Sequence, residues 1–546
     1  MRDNIFLVGF SGTGKTRVAR QVARLLGWTV FDMDVEIVRR AGKPIERIFA
    51  DHGEAAFRAL ESQVVSDACH GTRQVVATGG GAMVAEENRR LMLQSGLVVC
   101  LDAQPETVLR RLRECQDEGD GTAVRPMLEG GDPLVRIREL KASRQPYYDE
   151  AHWTVRTDLI SEGEVAREVI KAWYLLRHRL SVDSPDLAAV VTHSSGSYPV
   201  YVGWGLIERI GERMLGVGLK GPMYLISDDG LYPRHVRRAQ RALERCGIAT
   251  HLYILPRGET TKSLDMARAI YDWLVERRAE RRHVIVALGG GMVGDLAGFV
   301  AATYLRGMPL VQVPTSLLAM VDASIGGKTA VNLTQGRNLV GAFYQPQMVV
   351  ADVSVLATLG ERERREGWAE AIKHGLIMDE ALFETFEQHA GEIMALEPEL
   401  ATDVIRRSMA IKARVVTEDE READRRTLLN YGHTIGHALE TVAGYGRYYH
   451  GEAVAVGMMG AAMISHRLGM IGADVVERQR AILDRFGLPL ACPGVDVDAL
   501  ADAMMRDKKV ASGAIRWVLL DGLGRAVVRD DVPADVVRDV LDGLAR

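Results

Sequence analysis

The chain has 546 residues, 47% of them apolar and 26% charged, with a formal net charge of −5. That length exceeds what one hydrophobic core organises, and the composition is that of a globular protein with about three structural domains. The charge balance gives no electrostatic case for nucleic acid, whose binders carry concentrated basic faces, and no apolar run approaches the ~18 residues of a membrane span.

The first segment in chain order is a short strand containing an acid, not a basic stretch followed by a long apolar core, so no signal peptide is expected. The five cysteines, at 69, 100, 115, 246 and 492, form no CxxC pair, which suits reduced thiols and a cytoplasmic protein. Residues 5–8, 75–77 and 97–101 read as buried strands with helical periods between them. That alternation predicts a parallel sheet covered by helices on both faces. A helix over 162–179 closes this unit, and the turn-forming run Ser181-Val182-Asp183-Ser184-Pro185-Asp186 reads as a linker. Beyond it, residues 198–202, 223–227, 251–255, 284–288 and 310–313 read as strands of a second α/β region that ends near Leu356. From Glu361 onward long amphipathic helical patterns dominate, with few strand signals. There Arg362-Glu363-Arg364-Arg365 mixes both signs and reads as a solvated helix face.

The first chemistry-bearing motif is Gly9-Phe10-Ser11-Gly12-Thr13-Gly14-Lys15-Thr16, placed between a strand and a helix as a Walker A loop requires. Its glycines let backbone N–H groups turn inward around phosphate oxygens, and the helix N-terminus adds its dipole. Gly12, Thr13, Gly14, Lys15, Thr16 and Arg17 are expected to hold ATP, with Lys15 on the β/γ-phosphates and Thr16 on Mg²⁺. The acceptor is expected to be a small polyol acid. Asp34, after a strand-like stretch, can accept from hydroxyls. Arg58, three residues from Glu61 on a helix, offers a guanidinium fork to a carboxylate. Gly79-Gly80-Gly81 admits a substrate close to the backbone.

Together with Asp32-Met33-Asp34, Gly53-Glu54-x-x-Phe57-Arg58, Thr78-Gly79-Gly80-Gly81, Arg125-Pro126 and Arg144-x-x-Tyr147-Tyr148, that loop resembles the shikimate kinase family over about residues 1–175. The resemblance implies that Asp34, Arg58, Gly80 and Arg144 bind shikimate, with Asp34 positioning the 3-hydroxyl. It makes Arg125 a lid arginine that closes over ATP and stabilises charge in transfer. The lid stretch, residues 114–122, departs from the family by being acid- and glycine-rich.

In the second α/β region Gly289-x-Gly291-x-x-Gly294 matches the dinucleotide fingerprint directly after a strand. Where an ordinary Rossmann unit places a ribose-binding acid, this chain has Pro314-Thr315-Ser316. A pyrophosphate over the glycines is expected, but not a standard Rossmann dehydrogenase. Farther on, Glu370 lies in a helical stretch, His433 and His437 are four apart on one helix face, and His450 precedes Gly451-Glu452. Two histidines and a carboxylate with an open position make a catalytic Zn²⁺ set. Spacing alone pairs His433 with His437 and leaves His450 open to a core role.

Pro256-x-Gly258-Glu259-x-x-Lys262, residues 289–295, 314–322 and 326–329, and Asn430-Tyr431-Gly432-His433 resemble the 3-dehydroquinate synthase family over about residues 190–546. The resemblance changes the ligands of Zn²⁺ or Co²⁺ to Glu370, His433 and His450, and makes His437 a proton-handling residue. It assigns Glu259, Lys262, Gly291, Met292, Val293, Gly294, Asp295, Thr315, Ser316, Lys328, Arg337 and Thr358 to NAD; at 337 the family commonly has lysine. Its substrate, 3-deoxy-D-arabino-heptulosonate 7-phosphate, needs cations at both ends. Arg306, Lys373, Lys412, Arg426 and Lys508 are supplied by the resemblance, with Asn430 as a polar partner and Asp322 to orient or accept a proton. Lys373, Asp322, Asn430 and His437 are then catalytic. The implied reaction is a closed redox loop around phosphate elimination and an intramolecular aldol closure, with the metal as Lewis acid and NAD not consumed. A homodimer through the synthase half is implied as well.

The expected architecture is α/β: a P-loop kinase domain with a parallel sheet over 1–178, a linker over 179–187, an α/β NAD-binding domain over 188–358 and a mainly helical metal- and substrate-binding domain over 359–546. The rival readings are another small-molecule kinase or a non-catalytic nucleotide-binding module, fused to another sugar-phosphate cyclase or a glycerol-dehydrogenase-like oxidoreductase.

Overall fold

The first apolar run becomes the central strand of a parallel sheet in the computed structural model, which describes residues 4–117, 132–177, 186–422, 425–444, 446–506, 510–511 and 514–546. The chain divides into two units: residues 1–185 with 192–197, and residues 186–191 with 198–546.

The first unit runs β1 (Asn4–Val8), α1 (Lys15–Leu26), β2 (Thr29–Asp32), α2 (Met33–Ala41), α3 (Ile45–His70), β3 (Gln74–Ala77), α4 (Glu86–Ser95), β4 (Leu97–Asp102), α5 (Pro105–Asp117), α6 (Pro133–Tyr148), β5 (Trp153–Arg156) and α7 (Glu162–Arg177). Among the described residues the five strands order as β2-β3-β1-β4-β5, each pair parallel. β1 and β3 are buried along their whole length, which is why they read as apolar runs and not as alternations. β1 ends at the sheet's carboxyl edge, and Gly9 turns the chain toward α1 with φ 127°. A side chain there would overlap the Leu101 carbonyl oxygen, 2.2 Å from an added Cβ. Residues 178–185, most of the expected linker, lie outside the described residues. Asp186 already belongs to the second unit: its carboxylate pairs with Arg213 at 2.7 Å, and Leu187 opens a strand.

The chain continues with β6 (Leu187–His193), β7 (Gly196–Gly203), α8 (Ile210–Gly216), β8 (Met223–Asp228), α9 (Arg234–Arg245), β9 (Thr250–Leu255), α10 (Leu264–Glu276), β10 (Val284–Gly289), α11 (Gly291–Thr303), β11 (Leu310–Pro314), β12 (Lys328–Leu333), β13 (Gly336–Phe343) and β14 (Met348–Asp352). Strand order is β6-β7-β14-β11-β10-β8-β9, parallel from β7 to β9, with β12 and β13 as a separate antiparallel pair. Chain order runs outward from β8 to β9 on one side and from β10 through β11 to β14 on the other. The switch point, where open α/β sheets bind ligands, therefore lies between the carboxyl ends of β8 and β10.

The last segment is largely helical: α12 (Glu361–Met378), α13 (Glu380–Met394), α14 (Pro398–Glu418), α15 (His433–Ala443), α16 (His450–Arg467), α17 (Ala473–Arg485), α18 (Val497–Arg506) and α19 (Ala534–Ala545). Between α18 and α19 lie two small antiparallel pairs, β15 (Val510–Ala511) with β16 (Ala514–Ile515), and β17 (Trp517–Leu520) with β18 (Ala526–Arg529). Their strands of two to four residues are too short to show a period of two, so the sequence pattern gives no sign of them. α16 is buried on nearly every face, as a helix without a polar stripe must be.

Candidate active sites

In the first unit Lys15 opens α1 and its ammonium donates to the carbonyls of Gly9 (2.8 Å) and Phe10 (2.9 Å). Gly14 caps that helix in a left-handed conformation with no side-chain hydrogen bond, so the first-turn N–H groups face the loop's concavity. The Thr16 hydroxyl donates to Asp32 Oδ2 at 2.8 Å, while Oδ1 caps α2 by accepting from the Asp34 and Val35 N–H groups. A P-loop hydroxyl paired with a strand-end carboxylate is a hard-oxygen pair suited to Mg²⁺. Asp32 was absent from the expected set; its signal was its place at the end of the strand across from the loop.

The glycine triplet after β3 gathers the expected acceptor-side residues. A Cβ on Gly79 would lie 2.9 Å from Glu61 Oε1 and 3.3 Å from Asp34 Oδ1, one on Gly80 3.0 Å from Ser11 Oγ, and one on Gly81 2.4 Å from Arg58 Nη1. Any side chain here would displace the site. Arg58 is held by Glu61 (2.7 Å) and Glu54 (3.0 Å), and Arg144 donates to the Gly80 carbonyl at 3.1 Å beside the Tyr148 hydroxyl at 2.6 Å. Burial pushes the Glu61 carboxyl above its ordinary range, against the pull of Arg58. Arg17, expected at ATP, pairs with Glu162 at 3.2 Å. Arg125 lies outside the described residues.

In the second unit the fingerprint glycines sit where β10 meets α11, at the switch point. The third, Gly294, packs against Gln312 of β11, whose amide donates to its carbonyl at 3.1 Å. Val293 is buried in the core and Met292, partly buried, packs against it, so Gly291 to Val293 offer chiefly their first-turn N–H groups. Lys262 donates to Asp295 Oδ2 and to Asn338 Oδ1, and Glu259 accepts from Asn332 at 2.8 Å, which ties these residues to the β12–β13 pair. Burial raises the Asp295 carboxyl despite Lys262. Thr315 donates its N–H to the Gly289 carbonyl at 3.0 Å, Ser316 caps the next turn, and the Thr358 hydroxyl lies 2.8 Å from His235 Nε2. The acid missing after β11 has a counterpart: Asp228 ends β8, the strand paired with β10, and can accept from vicinal hydroxyls. The sequence reading missed it because the glycine-bearing strand is not the first of this sheet.

Three helices converge on Glu370. One turn before it on α12, Glu366 accepts from the Gly451 N–H at 3.3 Å, and burial pushes its carboxyl up to about 7. Gly451 follows His450 at the start of α16; a Cβ there would lie 1.9 Å from the Glu366 carbonyl oxygen, so only glycine lets α16 approach α12. Glu370 Oε1 is buried without a hydrogen-bond partner, 3.6 Å from His433 Nε2 and 3.8 Å from His450 Nε2. Its other oxygen accepts from Lys373. An unpartnered buried carboxylate oxygen facing two imidazole nitrogens fits a divalent cation. His437 lies outside this triad but within reach of His450 and Glu440, as a second candidate trio.

Around the triad, Lys412 pairs with Asp322. Burial opposes ionisation of Asp322, but Lys412 and Lys373 together hold its carboxyl below the ordinary range. Arg426 is buried, donating to the carbonyls of Gly326 (3.3 Å) and Glu420 (2.8 Å). Glu422, which sequence reasoning did not select, bridges Lys328 and the Asn430 amide. Arg337, expected at the cofactor, is among the charges that hold the Glu440 carboxyl down against burial, after His450 and His437. Arg306 follows the far end of α11, roughly 20 Å of helix from Gly291. Lys508 lies outside the described residues.

Family models match three stretches. One described as shikimate kinase covers residues 11–174, one as 3-dehydroquinate synthase N-terminal covers 252–366, and one as 3-dehydroquinate synthase C-terminal covers 367–510. A 3-dehydroquinate synthase of Nitrosospira multiformis is 45% identical over 352 residues, which span 64% of this chain and 96% of that protein. One of Symbiobacterium thermophilum is 47% identical over 354 residues, 64% of this chain and 98% of that protein. Among solved structures, 2-epi-5-epi-valiolone synthase from Streptomyces hygroscopicus with NAD+ and Zn²⁺ bound is 26% identical with a TM-score of 0.59, covering 64% of this chain and 96% of that one. A 2-deoxy-scyllo-inosose synthase complexed with carbaglucose-6-phosphate, NAD+ and Co²⁺ is 29% identical with a TM-score of 0.59, covering 65% and 98%.

Proposed function

Because the chain belongs to the 3-dehydroquinate synthase family and carries a shikimate kinase domain ahead of it, we propose that one polypeptide performs both reactions at separate sites. The N-terminal unit transfers the γ-phosphoryl group of ATP to the 3-hydroxyl of shikimate. The C-terminal unit converts 3-deoxy-D-arabino-heptulosonate 7-phosphate to 3-dehydroquinate and phosphate. The observation that carries this reading is the orphaned Glu370 oxygen between His433 and His450 in one unit, with a complete phosphate loop in the other.

In the kinase, Lys15 leaves the loop carbonyls to hold the β/γ-phosphates, and Thr16 with Asp32 holds Mg²⁺. Arg58, kept in place by Glu61 and Glu54, faces the shikimate carboxylate together with Arg144. Asp34 takes the proton of the attacking hydroxyl, and Arg125 neutralises charge on the transferring group.

In the synthase, Glu370, His433 and His450 hold Zn²⁺ or Co²⁺. Glu259, Lys262, Gly291 to Asp295, Thr315, Ser316, Lys328, Arg337 and Thr358 hold NAD, with Asp228 at a ribose. When bound, NAD supplies reversible hydride acceptance, and the metal supplies polarisation of substrate hydroxyls. Lys373, Lys412, Arg426, Lys508 and Asn430 bind the substrate's anionic ends and orient it. His437 and Asp322 hold and move its protons. Arg306 completes the proposed substrate cations, and a homodimer through the synthase half is the proposed assembly. Among the described residues no helix is long and apolar enough to cross a membrane, and a cytoplasmic location is proposed.

Two assays on the full chain test the reading: shikimate with MgATP, and the heptulosonate phosphate with NAD and Zn²⁺. Formation of shikimate 3-phosphate and of 3-dehydroquinate without net NADH is expected. Net NADH would favour a dehydrogenase, and shikimate-independent nucleotide binding without transfer would favour a binding module.

A further inference from the structure

We propose that Glu440 is a positioning residue for the metal set: it accepts the Nδ1 proton of His450 and so turns that ring's Nε2 lone pair toward Glu370. The proposal rests on Glu370, His433 and His450 being the ligands.

His450 presents its two nitrogens to two carboxylates on different helices. Nε2 lies 3.8 Å from Glu370 Oε1 of α12, and Nδ1 lies 3.4 Å from Glu440 Oε2 of α15. A neutral imidazole carries one ring proton, and an ionised carboxylate can only accept. The nitrogen that donates thereby fixes the other as the ligand atom. Of the two carboxylates, Glu370 already receives Lys373 on one oxygen and has its other oxygen, Oε1, turned to both imidazoles. Placing the His450 proton on Nε2 would fill the position between these three groups and close it to a cation. Placing it on Nδ1 satisfies Glu440 and leaves that position open.

His433 repeats the arrangement with a different acceptor. Its Nδ1 lies 3.3 Å from the Tyr431 carbonyl oxygen, and its Nε2 lies 3.6 Å from the same Glu370 oxygen. Both imidazoles thus have an acceptor behind Nδ1 and Glu370 before Nε2. Glu440 stands seven residues after His433 on α15, two helical turns along one face, so one helix supplies both a ligand and the group that orients another ligand. The Glu440 side chain is 16% exposed, which keeps water from replacing it freely.

The competing arrangement is the trio of His437, Glu440 and His450, whose donor atoms also lie within 4.8 Å of one another. There Glu440 would itself be a ligand and Glu370 would not.

The full chain, stripped of metal and titrated with Zn²⁺ against a chromophoric chelator, separates these cases without turnover; Co²⁺ absorption reports the ligand set. Glu440→Ala should bind one Zn²⁺ about 10- to 100-fold more weakly, with Co²⁺ bands of undiminished intensity and unchanged NAD affinity. Glu440→Gln, whose amide oxygen still accepts from Nδ1–H, should recover most of the affinity. Glu370→Gln should cost far more and change the Co²⁺ spectrum. Wild-type affinity in Glu440→Ala, or Glu440→Gln as weak as Glu440→Ala, would overturn the positioning role. Retained metal in Glu370→Gln with loss in Glu440→Ala would overturn the ligand assignment itself.

Discussion

A buried carboxylate oxygen without a partner costs on the order of 1–3 kcal/mol, and Glu370 Oε1 carries that cost between two imidazoles. A cation bound at the proposed site would offset it, linking metal and stability. With free Zn²⁺ at a hundred times Kd, the synthase unit should gain about 2.7 kcal/mol. Calorimetry should show its Tm falling on chelation in the wild type and not in Glu370→Ala; an equal fall in both would remove Glu370 from the site. His437→Ala should keep the ion and lose cyclisation, whereas loss of the ion would favour the His437 trio. In the other unit, Lys15→Met removes only the phosphate clamp, so shikimate phosphorylation should vanish while dehydroquinate formation stays near the wild-type rate. Acid sensitivity should come partly from His374. Burial, then the charges of Lys373 and Lys412, hold its pKa well below the ordinary value while Nδ1 faces Ser408 Oγ at 2.6 Å. A histidine whose folded pKa is depressed costs nothing above about pH 6.5. Below that only the unfolded chain takes up the proton, and about 1.4 kcal/mol is lost per pH unit. His374→Phe should therefore flatten the decline in stability between pH 6.5 and 5; an unchanged slope would assign the decline to other groups.

At the scale of elements, the proposed metal set depends on how near α16 comes to α12 and α15. Glycines decide that distance: an added Cβ at Gly451 would lie 1.9 Å from the Glu366 carbonyl oxygen, and one at Gly457 1.9 Å from the Gly432 carbonyl oxygen. Overpacking at such contacts costs about 1–3 kcal/mol or more and shifts backbone. Gly451→Ala should thus weaken metal binding as well as stability, because His450 is the preceding residue. Gly436→Ala is the control, since its Cβ would stand 3.1 Å from the Ala453 carbonyl oxygen and asks for a few tenths of an ångström. Equal metal affinity in Gly451→Ala and the wild type would show that α16 tolerates displacement. The start of α16 is pinned from another side as well: Arg362 makes a two-pronged bond to Glu452 at 2.7 Å and stacks 4.0 Å over the Tyr449 ring. Arg362 stays exposed, as its reading as part of a solvated face predicts, and only its acidic partner, 90 residues away, is hidden from the sequence.

At the scale of the whole molecule, two units with separate cores imply two activities that survive separation. Cleavage within residues 181–185 should leave both activities in the resulting fragments, and insolubility of one fragment with recovery on co-expression would show an obligatory interface. The two proposed reactions are not consecutive: 3-dehydroquinate must lose water and be reduced before shikimate exists. The purified chain, given the heptulosonate phosphate, NAD, Zn²⁺ and MgATP, should accumulate 3-dehydroquinate and form no shikimate 3-phosphate. Adding separate dehydratase and NADPH-dependent reductase activities should restore the phosphorylated product after a lag. Product without those additions would reveal a further activity in the chain.

Much of this protein was legible in sequence because its decisive signals are local. Gly9 to Thr16 and Gly289 to Gly294 each follow a fully buried strand and open a helix, and short-range geometry suffices to read a phosphate loop from that. The β12–β13 pair was not legible, since β13 is largely exposed and neither strand carries a strong apolar alternation. Nor was Asp228, whose meaning comes from β8 lying beside β10. Residue spacing pairs His433 with His437, and those two do share a helix face, with ring centroids 5.2 Å apart. Resemblance, not spacing, brought in His450. Which imidazoles face Glu370 depends on the packing of α12, α15 and α16, and spacing along one helix carries no information about the approach of another. The sequence by itself determined the two glycine loops, each between a buried strand and a helix, and the division into a kinase and a synthase. Only the tertiary structure decided the Glu370 constellation, because contacts between distant helices are set by how closely their backbones can pack.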